Sequence, residues 1–207
     1  MNNEVDLLEF EKKLYKQDIQ LIAGVDEVGR GPLAGPVLAA AVVLPKNAEL
    51  VGVNDSKKLT AKKRALYYKQ IIEIAISVGI GTASVAEIDS VNILQATKLA
   101  MKRAIANLSI APEYLLIDHL TLDINLPQLG ITKGDTKSLS IAAASIVAKE
   151  VRDKMMKELG EKHPHYGFEK NAGYGTTAHR KALKEHGYID GVHRKSFAPI
   201  KSMIKYN

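Results

Sequence analysis

The stretch Gly24-Val25-Asp26-Glu27-Val28-Gly29-Arg30-Gly31-Pro32 constrains this chain more than any other. An apolar run, Leu21 to Val25, ends in two adjacent carboxylates, and a Gly-Arg-Gly turn follows at once. Acids that can hold a metal ion stand next to a base and an open backbone suited to phosphate, which suggests a site that handles a nucleic-acid backbone. Taken alone, the segment also fits a strand that ends in a polar turn. Consecutive strand side chains point to opposite faces. Asp26 and Glu27 therefore share one site only if the strand ends or bulges between them, or if one of them contributes its backbone carbonyl.

Alternation of strand-like and helix-like segments follows. Leu21 to Glu27 reads as a strand, and Val37 to Leu44, rich in Val and Ala and closed by Pro45, reads as a well-buried one. A further short strand is expected near Glu49 to Val53. Thr60 to Ser77 has helical spacing with Thr60 as N-cap, Gly79 to Val85 alternates like a strand, and Asn92 to Asn107 reads as a helix. Tyr114 to Ile117 is a compact strand that stops at Asp118, and Asp135 opens a long helix over Thr136 to about Leu159. Beyond Gly160 the composition turns to Gly, His and aromatics before a helix over Thr177 to His186 and a short apolar tail. This order predicts an α/β fold, a mixed β-sheet flanked by helices, with a core over 1–160 and a small C-terminal helical extension over 161–207, integrated in one unit.

Composition narrows the function classes. The formal charge of +6 favours a polyanionic partner without proving one. The absence of cysteine excludes disulfides, thiolate nucleophiles and cysteine-ligated metal sites. No apolar run approaches the roughly 20 residues that span a bilayer, and the first twenty residues, read as a short amphipathic helix, lack the apolar core of a signal peptide. A cytoplasmic protein without membrane contact is expected.

Four acids fall where elements end: Asp26, Glu27, Asp118 and Asp135. Hard divalent cations take oxygen ligands and keep some water, so two or three carboxylates suffice for a site. Asp135 fits equally well as the N-cap of its helix, and Asp118 as a polar residue leaving a strand. Gly29, Arg30 and Gly31 offer backbone N–H groups and a guanidinium for phosphate, while their spacing matches neither the dinucleotide fingerprint nor a P-loop. Lys133, Lys137 and Ser138 surround Asp135 at a helix start, and Lys57 lies in a second basic loop, Asp55 to Lys58. Tyr174, between Gly173 and Gly175, suits stacking on a sugar or base, or packing. His179, His186 and His193 recur every seven residues without forming a consistent face and read as surface histidines rather than a metal cluster.

Together these segments resemble the ribonuclease HII family over nearly the whole chain. The matching blocks are Asp26 to Pro36, Asp55-Ser56-Lys57-Lys58-Leu59, Lys133 to Ser138 leading into Ile141 to Ser145, Gly173 to Thr176, and His193-Arg194-Lys195-Ser196-Phe197. The resemblance implies a ribonuclease H-like fold and a four-acid site of Asp26, Glu27, Asp118 and Asp135. It implies cleavage of RNA in RNA–DNA hybrids and incision 5′ of ribonucleotides embedded in duplex DNA, by two-metal-ion catalysis with Mn²⁺ or Mg²⁺, leaving 3′-hydroxyl and 5′-phosphate ends. Gly29-Arg30-Gly31 would then read the 2′-hydroxyl through the backbone, and Tyr174 would pack on the adjoining deoxyribose. A monomer is expected. The family usually places glycine after the third acid, where this chain has His119, and Asp123 lies nearby as a competing acid. The related ribonuclease HIII type, with lysine where Arg30 stands and an additional N-terminal domain, fits less well. A non-catalytic hybrid binder and a DNA nuclease of the same broad fold are the rival classes.

Overall fold

The computed structural model describes residues 6–50, 52–53 and 59–204, and its sheet is organised around the acid-bearing strand. A short helix α1 (Glu9–Tyr15) precedes strands β1 (Ile22–Val28) and β2 (Val37–Val43). Next come α2 (Ala61–Ile74), β3 (Ser77–Ala83), α3 (Val85–Ala106), β4 (Tyr114–Asp118) and β5 (Gln128–Ile131). A 3-10 turn over Gly134–Thr136 leads into the long helix α4 (Leu139–Lys162). The shorter helices α5 (Phe168–Asn171), α6 (Thr177–His186) and α7 (Ile200–Ile204) follow. The sheet order is β3-β2-β1-β4-β5, with β1, β2 and β3 antiparallel and β4 and β5 parallel to β1. This is the expected mixed α/β sheet flanked by helices.

The side chains of β2 are buried throughout, as befits a strand covered on both faces. Ala39 and Ala41 pack with Ala23, Val25, Ile88, Ala96 and Ala100 beneath α3, whereas Leu38, Ala40 and Val42 pack with Ala143, Ile146 and Val147 of α4. Small residues let both helices approach closely. The tightest approach is at Gly24, where an added Cβ would lie 2.0 Å from the Ser140 carbonyl carbon. The start of α4 is also held from the other side. The Glu11 carboxylate accepts hydrogen bonds from the Ser138 hydroxyl (2.7 Å) and the Ser140 amide (3.0 Å), and Leu139 N–H donates to Leu7 O.

Three expectations are corrected. Residues 49–50 and 52–53 form no strand, while β5, which the sequence reading missed, lies at the sheet edge. Asp135 is not the N-cap of the long helix. It sits in the 3-10 turn, and Ser138, whose hydroxyl accepts from Ile141 N–H, caps α4 one turn later. The helix expected from Asn92 starts earlier, at Val85, behind a capping box formed by Ser84 and Glu87. A kink with Asn92 at φ 69° divides that helix, and the Asn92 side chain caps the second half by accepting from Leu94 and Gln95 N–H.

His179 and His193 are the fourth correction, since both are fully buried. They lie among Tyr166 and Phe168 in a satellite core that also takes in Leu33, Ala34, Met156 and Leu183. Ile189 N–H donates to His193 Nδ1 (2.9 Å), so the His193 proton sits on Nε2, facing His179 Nε2 at 3.1 Å. His179 Nδ1–H is then left to donate to the Tyr174 carbonyl (2.9 Å). Both rings must be neutral for this chain of bonds. Burial lowers the pKa of each, that of His193 to about 4.

Two outcomes are expected. Gly24→Ala collides with the α4 backbone and should cost about 1–3 kcal/mol in denaturant unfolding. For His193 the folded-state pKa lies below the unfolded value of 6.5, so its contribution is complete above pH 6.5 and is lost as pH falls toward about 4. Chemical denaturation across that window should show a steeper loss for the wild type than for His193→Gln.

Candidate metal and nucleic-acid site

The C-terminal ends of parallel strands in an open α/β sheet present their side chains at one edge. The register pairs Val25 with Ile117, which sets the next positions, Asp26 and Asp118, side by side at that edge. Alternation sends Asp26 toward α4, where Ser145 hydrogen-bonds its carboxylate, and leaves it only 5% exposed. Glu27 would face the opposite side in a continuing strand. The ladder runs on through Glu27, paired with Ala39, to Val28, and Gly29 then turns the chain with φ +91°. The Glu27 carboxylate reaches the same site: one oxygen each of Asp26, Glu27 and Asp118 lie within 4.8 Å of one another. The Glu27 side chain, and not only its backbone, is therefore within reach of the other two acids.

The cluster is held by a small set of donors. Glu27 N–H donates to Asp26 Oδ1 (2.7 Å), Arg30 Nη1 to Glu27 Oε1 (3.3 Å), and Gly134 N–H to Asp118 Oδ1 (2.6 Å). Glu27 Oε2 is buried with no hydrogen-bond partner among the described residues. Burial, followed by repulsion from Glu27 and Asp118, pushes the Asp26 carboxyl well above its ordinary range. Burial also raises Glu27, against the opposing pull of Arg30. An orphaned carboxylate oxygen within a ring of oxygen donors is the environment that a hard divalent cation satisfies.

Asp135 is buried in the 3-10 turn, next to Gly134, and lies outside the three-acid cluster. The Gly134–Asp118 bond ties its turn to the third acid. His119 follows Asp118 with φ 59°, a left-handed conformation that explains the glycine expected there. Asp123, the competing acid, is exposed in the loop before β5.

The acids open into a cleft of about 370 Å³ lined also by Gly29, Arg30, Gly31, Arg64, Lys149 and Tyr174. Tyr174 is 47% exposed, and its ring edge would lie 3.4 Å from a Cβ placed on Gly31. Lys133 and Lys137 are exposed on the turn that carries Asp135, outside the cleft lining. Ser138 is fully buried with its hydroxyl engaged by Glu11 and the helix cap, a structural position rather than one facing a substrate. Lys57 and the rest of the Asp55 to Lys58 loop lie outside the described residues.

Sequence reasoning missed Arg64 and Lys149. Arg64, on α2, pairs with Glu150 (2.6 Å) and Asp153 (3.1 Å) of α4, and Lys149 pairs with Asp153 (2.7 Å). No local motif marks them, since each is an ordinary cation on a helix face until the two helices meet. Arg152 and Arg194 were missed as well. Both are fully buried and donate to backbone carbonyls: Arg152 to Ala34 and Pro36 beyond the turn and to Ala172 after α5, and Arg194 to Gly29, Arg30 and Gly35.

A mixed sheet with acids at the ends of adjacent parallel strands, a cation-lined cleft beside them and an exposed tyrosine define a metal-dependent nuclease of the ribonuclease H-like class. The sequence model of the ribonuclease HII family matches residues 23–200. A ribonuclease HII of Bacillus cytotoxicus is 57% identical over 97% of this chain and 77% of its own length. The enzyme of that name from Enterococcus faecalis is 55% identical over 96% of this chain and 78% of its own. Among solved structures, ribonuclease H2 from Pyrococcus horikoshii superposes with a TM-score of 0.75 at 27% identity, covering 89% of this chain and 97% of that one. The chain belongs to the ribonuclease HII family. As a member it is a metal-dependent ribonuclease H endonuclease acting on RNA–DNA hybrids. No helix among the described residues is long and apolar enough to cross a membrane.

A stability experiment tests the electrostatics of the cluster. The Asp26 carboxyl is raised in the fold, so its contribution is fully favourable only below the unfolded value of 3.8 and is lost as pH rises through the folded value. At neutral pH in a chelator, Asp26→Asn should therefore melt higher than the wild type, by about 2–4 °C for each kcal/mol of repulsion relieved. The same variant should lose Mn²⁺ affinity by titration calorimetry.

Proposed function

We propose that the chain incises duplex DNA 5′ of embedded ribonucleotides, as well as cutting the RNA strand of hybrids, and leaves 3′-hydroxyl and 5′-phosphate ends. The observation that carries this reading is the juxtaposition of the three-acid cluster with the Gly29-Arg30-Gly31 turn and Tyr174 in one cleft. The proposed cofactors are two divalent ions, Mn²⁺ or Mg²⁺. When bound they supply charge neutralisation at the phosphate and water acidic enough to react near neutral pH.

The chain's own residues divide the remaining work. Asp26, the most deeply buried of the three, forms the cluster with Glu27 and Asp118, and Asp135 serves as the fourth acid from the adjoining turn. Arg30 orients the Glu27 carboxylate. Arg64 and Lys149, on the cleft wall, offer positive charge to the nucleic-acid backbone. Lys133 and Lys137 are proposed as outlying phosphate contacts, and Lys57 as a further phosphate contact. The amides of the Gly29-Arg30-Gly31 turn read the 2′-hydroxyl, and Tyr174 packs against the neighbouring deoxyribose, favouring an RNA-to-DNA junction. The protein is proposed to act as a cytoplasmic monomer, with residues 161–207 as a substrate-contacting extension of a 1–160 core.

A duplex carrying one ribonucleotide, incubated with and without Mn²⁺ and resolved on a sequencing gel, tests the reading. The expected product is a single metal-dependent cut 5′ of the ribonucleotide, with an all-DNA duplex left intact. Binding without cleavage would favour a hybrid-binding protein, and cleavage of the all-DNA control would favour a DNA nuclease. Asp26→Asn and Asp135→Asn should each lower the rate by more than about 100-fold, since even residues that only support metal ligands cost about 10–100-fold. Full activity in either variant would overturn its assignment.

A further inference from the structure

Arg194, like Arg152, is a cation buried among backbone carbonyls, and it is the one that reaches the Gly29-Arg30-Gly31 turn itself. It is fully buried, 0% exposed. Nε and Nη2 donate to Gly35 O (3.0 and 2.9 Å), Nη1 to Arg30 O (2.9 Å) and Nη2 to Gly29 O (2.6 Å). No ion pair to a carboxylate is formed by it among the described residues. Burial and the neighbouring Arg152 lower its pKa to about 9, which still leaves it charged at neutral pH. A buried cation held by carbonyl dipoles rather than by a carboxylate costs desolvation energy that a surface arginine would not incur. The return on that cost is geometric.

A trans peptide unit is planar, and its C=O and the N–H of the next residue point in opposite directions. Drawing the Gly29 and Arg30 carbonyls onto a buried guanidinium therefore turns the Arg30 and Gly31 amides outward, toward the cleft that both residues line. Neither amide donates to another described residue. Gly29 accommodates the required backbone with φ +91°, and a Cβ there would collide with Arg152 at 2.2 Å, so the turn is packed from beneath by both arginines.

The segment that carries Arg194 is itself fixed to the other half of the site. Arg194 N–H donates to Leu33 O, Gly35 N–H to Val192 O, and Leu33 N–H to Gly173 O. His193, the preceding residue, reaches the Tyr174 carbonyl through His179. Phe197 stacks on the guanidinium, with Cζ 5.1 Å from the ring centroid.

We propose that Arg194 is a positioning residue for substrate choice: it aims the Arg30 and Gly31 amides at the sugar 2′ position and, through His193, sets that turn against Tyr174. The inference rests on the reading of the Gly29-Arg30-Gly31 turn as the 2′-hydroxyl sensor. Lysine cannot reproduce the guanidinium fork, so Arg194→Lys keeps the charge while releasing the turn.

The test compares kcat/KM on two duplexes, one with a single ribonucleotide and one with the same nucleotide bearing 2′-fluorine, a poor hydrogen-bond acceptor. Arg194→Lys should narrow the ratio between them by about tenfold or more, because the lost interaction is specific to the hydroxyl. Hydrogen exchange at the Arg30 and Gly31 amides should accelerate, while Mn²⁺ affinity stays within about twofold because the acids are untouched. A purely structural arginine would reduce both substrates in proportion to the folded fraction, so an unchanged ratio in the folded variant overturns the proposal, as does unchanged exchange. Should Arg194→Lys fail to fold, Phe197→Leu, which removes the stacked ring and keeps an apolar side chain for the core it packs against, carries the same test with a smaller narrowing expected and an unchanged ratio overturning it. Wild-type inactivity on the ribonucleotide duplex would count against the ribonuclease reading itself, and the exchange rates would then decide the positioning role independently.

Discussion

Three carboxylates within 4.8 Å of one another repel, and the fold has to hold them there. Their placement depends on the parallel ladder between β1 and β4, which puts residues 26 and 118 at equal height at the sheet edge. Rigidity comes from beneath. Gly24 admits the backbone of α4 against β1, α4 brings Ser145 to Asp26, and Glu11 with Leu7 fastens the start of that helix. The repulsion appears as raised carboxyl pKa values and an unpartnered Glu27 oxygen, both of which a divalent cation would relieve. A stability deficit stored at the site is thus linked to its affinity for metal.

The other half of the cleft is built on an opposite principle. Where the acids are like charges forced together, the Gly29-Arg30-Gly31 turn is backbone shaped by buried cations. Arg152 and Arg194 are recruited from α4 and from the C-terminal segment, far away in the chain: Arg152 packs beneath Gly29, and Arg194 draws the Gly29 and Arg30 carbonyls inward so that amides face out. The neutral histidine pair extends the same scaffold to Tyr174. The C-terminal segment is therefore part of the site's framework as well as its covering.

Much of this was legible in local pattern. The strand Leu21 to Glu27, the buried strand from Val37, the Thr60 cap and the helix over Thr177 to His186 were all readable, because periodicity and caps act over a few residues. The misses have physical reasons. Asp135 looks like an N-cap, but a 3-10 turn intervenes and gives the cap to Ser138. The histidines looked superficial because their burial depends on Tyr166 and Phe168 folding back over them. β5 is a short edge strand of weak pattern whose partner β4 alone defines it.

The sequence by itself determined the class of chemistry: acids at strand ends, a glycine-flanked arginine, no thiols and a net positive charge. Those properties are local or summed over the chain, so no coordinates are needed to see them. Tertiary structure alone decided that the Glu27 side chain joins Asp26 despite strand alternation, that Asp135 stands outside the tight cluster, and that Arg64 and Lys149 line the cleft. It alone decided that Arg194 sits under the Gly-Arg-Gly turn. Each of these depends on contacts between segments distant in sequence, and a charged residue reads the same in a sequence whether it lies in water or beneath a loop.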